Sequence, residues 1–334
     1  MALFIWVMDS SMLIYFSVLS YGIKCIMNQQ LIELEKKMGV SILEKIDEPF
    51  IKERGIELWL KRDDLLHPVI SGNKWRKLKY ILDHALSLNT RKIISMGGAY
   101  SNHLHALAYV GKKLDIETLG KIRGERPEVL NPSLLDMSEW GMSLEFVSRS
   151  EYRQLRTYKQ YTTLSALRSA EYWLPEGGAI ELALQGVAEL VDEIDLAYDV
   201  LCVPCGTATT LAGLINAVPE NKRVHGFSAL KGGGFLTDEV KTLLKHTDGH
   251  DIDWLIHLQY HFGGFAKITP ALVFFIQQFE QAHSIKLEPV YTGKMLYGIY
   301  DLIRQGYFKS GQKIIAIHTG GLQGNRGFTS KYLG

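Results

Sequence analysis

From Glu57 to Gly321 the chain alternates compact apolar runs with amphipathic helical patterns, and three of the runs end in glycine. That alternation constrains the fold more than any other feature. Successive strand–helix–strand units make right-handed crossovers and cover both faces of a mostly parallel sheet. The runs IELWLKRDD, RKIISMGG, DVLCVPCG, RVHGFSAL and QKIIAIHTGG read as strands, with a short candidate at 145–147. The segments NKWRKLKYILDHALSL, SNHLHALAYVGKKL, AIELALQGVAELVDEI, TATTLAGLINAV and KITPALVFFIQQFEQAHS read as helices. The expected class is α/β, with open, mostly parallel sheets flanked by helices. Ligands collect at the carboxyl ends of strands in such sheets. No internal repeat or low-complexity tract is visible.

At 334 residues and 46% apolar, the chain can bury a large core, which excludes a disordered or fibrous protein. Its 37 basic and 36 acidic residues nearly cancel, leaving no electrostatic footprint for nucleic acid. Three cysteines cannot make a disulfide framework, so a cytoplasmic setting is expected. Residues 1–26 stand apart, with Asp9 and Lys24 as their only charges. Asp9 makes a full membrane span marginal, and no basic residue precedes Lys24 to form a secretory n-region. The expectation is a start read too far upstream, with Met27 opening the native fold. A weak anchor and a packed apolar arm are the alternatives.

The strongest anion signal is Gly206-Thr207-Ala208-Thr209-Thr210, which follows an apolar strand and opens a helix. First-turn amides lack internal partners, and the helix dipole favours an anion there. An ordinary capped helix remains an equal reading. Cys202 and Cys205 have redox spacing, but both fall on a strand expected to be buried, so packing is the expected role. No histidine, cysteine or carboxylate set has convincing metal spacing.

Lys74 sits at a helix start, within Ser71-Gly72-Asn73-Lys74. The helix field disfavours its charge and would make it a better amine nucleophile. Taken alone, these observations favour a plainer reading, a surface lysine in a basic stretch with Lys77 and Lys79.

The segment LKRDDLLHPVISGNKWRKLKY resembles the Schiff-base segment of fold-type II pyridoxal-phosphate enzymes, the tryptophan synthase β superfamily. Gly97–His103 is similar to their GG-x-x-SNH loop, and Gly206–Thr210 to their phosphate loop. EPVYTGK at 288–294 and HTGG at 318–321 complete five motifs in the superfamily's order. The nearest branch is the 1-aminocyclopropane-1-carboxylate deaminase and D-cysteine desulfhydrase group.

The resemblance implies a pyridoxal 5'-phosphate lyase with the cofactor in a cleft between two domains. A large domain would combine 27–71 with 176–334, and a small domain would span 72–172. Lys74 would form the Schiff base and then move the substrate proton. Ser101 would meet the substrate carboxylate or help at Cα. Asn102 would bond the cofactor's ring hydroxyl. Gly206, Thr207, Ala208, Thr209 and Thr210 would cradle its phosphate. Tyr291 would lie over the substrate, with Tyr260 as a second candidate, and Thr319 would face the pyridine nitrogen. Thr292 stands where the ring-opening deaminases carry a glutamate. Neutral hydroxyls at 292 and 319 would leave the pyridine largely unprotonated, which suits loss of a β-leaving group better than ring opening. The expected reaction is therefore β-elimination on a small D-amino acid, D-cysteine above all, giving pyruvate, ammonia and sulfide. A ring-opening deaminase is the alternative. The expected partner is a small amino acid, without nucleic acid or membrane, in a homodimer.

Overall fold

A computed structural model describes residues 27–161, 167–245, 247 and 252–328. The reading of residues 1–26 lies outside the described residues. Two sheets organise the molecule. The six-stranded sheet has the order β1-β2-β10-β7-β8-β9. Its strands are β1 (Leu43–Ile46), β2 (Glu57–Lys61), β7 (Val200–Cys205), β8 (Arg223–Ser228), β9 (Asp253–His257) and β10 (Lys313–Ile317). The four-stranded sheet has the order β5-β4-β3-β6. It contains β3 (Lys92–Gly97), β4 (Glu117–Arg123), β5 (Ser143–Val147) and β6 (Glu171–Leu174). Every pairing is parallel except β1 with β2. The α/β class with two mostly parallel sheets flanked by helices is therefore present.

Six helices position the site: α1 (Asn73–Ser87), α2 (Asn102–Leu114), α3 (Leu182–Asp192), α4 (Thr209–Ala217), α5 (Pro270–His283) and α6 (Thr292–Arg304). The first five lie where the periodicity predicts them. β7 is buried along its whole length, as a central parallel strand should be. Cys202 and Cys205 are both part of that buried strand, and burial pushes both thiols up. The strands not foreseen, β1, β4, β6 and β9, include three at sheet edges; burial is partial in β1 and β9, whereas β6 is short but buried at Tyr172, Trp173 and Leu174. No helix among the described residues is long and apolar enough to cross a membrane.

Candidate active site

The loops that leave β3, β7 and β10 meet the start of α1. Gly72 holds the junction. Its φ is +62°, and an ideal Cβ there would lie 1.9 Å from the Thr319 carbonyl oxygen. Only glycine supplies that conformation without a side chain to collide. The loop carrying Lys74 is thus pressed against the loop that follows β10. Asn73 Nδ2 donates to Thr210 Oγ1 at 2.8 Å, which ties the same loop to the one after β7. Lys74 Nζ donates to Asn73 Oδ1. A cavity of about 260 Å³ opens beside them, and its lining includes Asp64, Ser71, Lys74, Asn102, Gly321 and Gln323. Burial pushes the Lys74 ammonium down to about 8, against the opposing pull of the Glu288 carboxylate.

The basic stretch after Lys74 is not a solvated face. Lys77 is 3% exposed and Lys79 is 6% exposed. Lys79 pairs with Glu35 and Glu189. Lys77 falls three residues beyond Lys74, on the same side of α1. Its Nζ donates to Gly177 O at 2.9 Å and to Thr207 Oγ1 at 3.2 Å. Among the described residues no carboxylate pairs with it. Burial, then the charge of Lys74, hold Lys77 well below its ordinary value. Two amines and only neutral partners around Lys77 leave this spot short of negative charge.

The loop Gly206–Ala208 leads into α4. Thr209 and Thr210 are buried, and no side chain caps the helix. Gly206 lets Tyr291 close on this loop, because a Cβ would stand 2.6 Å from Tyr291 Cε1. Tyr291 itself precedes α6, whose start is built differently. The buried Glu288 carboxylate accepts the backbone N–H of Val290 at 2.7 Å, Tyr291 at 2.9 Å and Thr292 at 2.5 Å. It also accepts the Thr292 hydroxyl at 3.1 Å. Burial raises the Glu288 pKa, and these donors pull it back.

Two expectations change here. Thr292 is fully buried and its hydroxyl is spent on Glu288, so it is not a free group at the cavity. A carboxylate therefore does stand beside position 292, contributed from four residues upstream. Tyr260 turns away from the site. Its hydroxyl donates to Asp301 Oδ2 at 2.8 Å, and its ring packs near Phe227 and His257. From the same stretch of chain it is Phe265 that meets Tyr291, edge-on, with centroids 5.9 Å apart. The remaining residues lie along the strand ends. Ser101 caps α2 and its Oγ accepts the Leu104 N–H at 3.2 Å. Asn102 lines the cavity, and Thr319 is buried behind Gly72. Sequence reading missed Lys77, Glu288, Phe265 and Gln323. The three-residue spacing from Lys74 was the available signal for Lys77. Among the described residues no three histidine, cysteine or carboxylate side chains gather as a metal site.

The family described as "Pyridoxal-phosphate dependent enzyme" matches residues 39–320. The chain belongs to this family. Curated relatives include a putative 1-aminocyclopropane-1-carboxylate deaminase of Pyrococcus horikoshii, 32% identical over 84% of this chain and 90% of the relative. A bifunctional D-cysteine desulfhydrase/1-aminocyclopropane-1-carboxylate deaminase of Arabidopsis thaliana is 30% identical over 81% of this chain and 73% of its own length. Among solved structures, an ACC deaminase homologue superposes with a TM-score of 0.73 at 28% identity, covering 92% of this chain and 99% of that one. The family's cofactor is pyridoxal phosphate, and the residues present fit it. An amine for its aldehyde stands at Lys74. A buried, uncapped helix start and the Lys77 amine, which a bound anion would favour in its charged form, converge on Thr207, which suits a phosphate dianion.

Proposed function

We propose that this chain carries out β-elimination on a small D-amino acid with a β-leaving group, D-cysteine above all, to give pyruvate, ammonia and sulfide. When bound, pyridoxal phosphate draws electron density from the substrate Cα. The protein decides which bond breaks. Lys74 Nζ accepts the Cα proton, the Cβ–S electron pair leaves with sulfur as hydrosulfide, and water hydrolyses the enamine after its release to give pyruvate and ammonia. The value near 8 raises the neutral fraction of this amine by roughly two orders of magnitude at neutral pH. Ser101 receives the substrate carboxylate at the start of α2, and Asn102 bonds the cofactor ring oxygen. Thr207, Thr209, Thr210 and Lys77 hold the phosphate. Tyr291, fixed over Gly206, walls the substrate. A cleft between lobes 27–71 plus 176–334 and 72–172 would exclude water from the reacting atoms.

The observation that carries this reading is the state of the one carboxylate near position 292. Glu288 is committed to three backbone N–H groups and the Thr292 hydroxyl, so this turn presents no free carboxylate. A weakly protonated ring suffices for proton removal and loss of a leaving group. The second reading, ring opening of 1-aminocyclopropane-1-carboxylate to 2-oxobutyrate and ammonia, is favoured by the same carboxylate, because it adds a buried acid that the sequence pattern did not count. Parallel assays with D-cysteine, L-cysteine, D-serine and the cyclopropane amino acid separate the two. Sulfide and pyruvate from D-cysteine are expected. Turnover of the cyclopropane substrate with no sulfide from D-cysteine would sink the proposal. The low cysteine count supports a cytoplasmic setting, and the prevalence of two-fold symmetry among oligomers supports a homodimer.

A further inference from the structure

Beyond β10, the turn Leu322–Gly327 crosses from the six-stranded sheet to the helices of the four-stranded one. Gln323 lies at its centre, and its two amide atoms face partners of opposite kind. Its Oε1 accepts from Ser133 Oγ at 2.5 Å and from Arg326 Nη2 at 3.2 Å. Its Nε2 donates to the Tyr100 carbonyl at 3.3 Å and to Asn102 Oδ1 at 2.5 Å. A guanidinium can only donate and a backbone carbonyl can only accept, so the Gln323 amide has one allowed orientation. That orientation forces Asn102 in turn. Its oxygen must meet Gln323, and its Nδ2 lies on the Gly321 side, where an ideal Gly321 Cβ would be 2.5 Å away. Asn102, Gly321 and Lys74 all line the cavity.

We infer that Gln323 is a positioning residue that fixes Asn102 as a hydrogen-bond donor toward the cavity, and so selects an anionic ring oxygen beside Lys74. The inference rests on the reading of this cavity as the cofactor site. Without Gln323 the Asn102 amide can turn over at little cost and offer an acceptor to that oxygen. A glutamate at 323 goes further. It keeps both acceptor contacts, to Ser133 and Arg326, and gives up the donation to the Tyr100 carbonyl. It cannot donate to Asn102, which then rotates its Nδ2 toward the carboxylate and its oxygen toward the cavity.

The test compares wild type with Gln323→Glu and Gln323→Leu. The readouts are the dissociation constant of pyridoxal 5'-phosphate, the position and pH dependence of the bound cofactor's visible band, and the melting temperature of the cofactor-free protein. Gln323→Glu is expected to weaken cofactor binding about tenfold or more and to shift the band, with melting no lower than that of Gln323→Leu. Gln323→Leu should weaken binding less, because it frees the amide without reversing it. Equal losses in the two variants, or unchanged affinity and band in both, overturn the inference. A wild-type band that Lys74→Ala abolishes leaves the cofactor reading standing in either case. A wild type with no band overturns both.

Discussion

Two helix starts face the same site and solve the same electrostatic problem in opposite ways. At α6 the chain supplies its own anion, with Glu288 accepting three N–H groups and a hydroxyl. At α4 no side chain caps the helix, and a buried lysine stands beside it with neutral partners only. Both ends carry the same unsatisfied amides and the same partial positive charge. The difference lies in where the negative charge comes from. The closed end is a fixed structural joint that holds Tyr291. The open end has no anion of its own, and in the proposed reading the cofactor phosphate supplies it. Gly206 joins the two, since the ring carried by the closed end rests on the loop of the open one.

The sharpest way to break this contrast is to remove Lys77. Lys77→Met should lower the affinity for pyridoxal 5'-phosphate by about a hundredfold, as expected for losing a charge-assisted contact from a buried site. The cofactor-free protein should melt higher than wild type. A folded pKa held below the unfolded one means the unfolded chain binds more protons, so this lysine destabilises the fold at neutral pH. Fluorescence titration and thermal melts check both. Unchanged affinity would mean that the open end does not depend on an outside anion.

Glu288→Ala tests the closed end. It orphans buried N–H groups and should cost about 3 kcal/mol in urea unfolding. It should also move the Lys74 midpoint below 8, because the carboxylate is what pulls that value upward. In wild type, Lys74 titrates near 8 in the fold against 10.5 when free, so its contribution to stability grows as pH rises between those values. In Glu288→Ala the window should open at lower pH. The rate of cofactor attachment against pH reads the same midpoint directly.

Gly206→Ala acts on the contact between the two ends and should have the smallest effect. The new Cβ would displace the Tyr291 ring, at about 1–3 kcal/mol of overpacking. A rise in KM for the amino acid with little change in cofactor affinity is expected, because the ring moves and the helix start does not. Loss of cofactor binding instead would show that the two ends are not separable.

The strands that run into glycine were readable because their signals are local, whereas the lysine loop was legible only through its resemblance to a family motif. Alternating runs marked the buried strands, and glycine marked the ends of β3, β7 and β10. The site's electrostatics were not local. Lys77 looked solvated because nothing within the helix reveals that Gly177 and Thr207 cover it. Thr292 looked free because Glu288 reaches it only once the chain turns at Pro289. Tyr260 and Phe265 are aromatics in one irregular stretch, and no periodicity there says which one turns inward. Gln323 became visible only through its four partners, three of which are more than 190 residues, or exactly that far, away in sequence.

The contact at Gly72 bears on how the amine is mounted. Lys74 belongs by sequence to α1, yet its loop has no clearance from the Thr319 carbonyl and is bonded to Thr210. Arg76, two residues further, is clamped by Asp63 and Glu193. The reactive amine therefore stands where the two sheets are stitched together: its helix packs into the core of the four-stranded sheet, and its first turn is bonded to the frame of the six-stranded one.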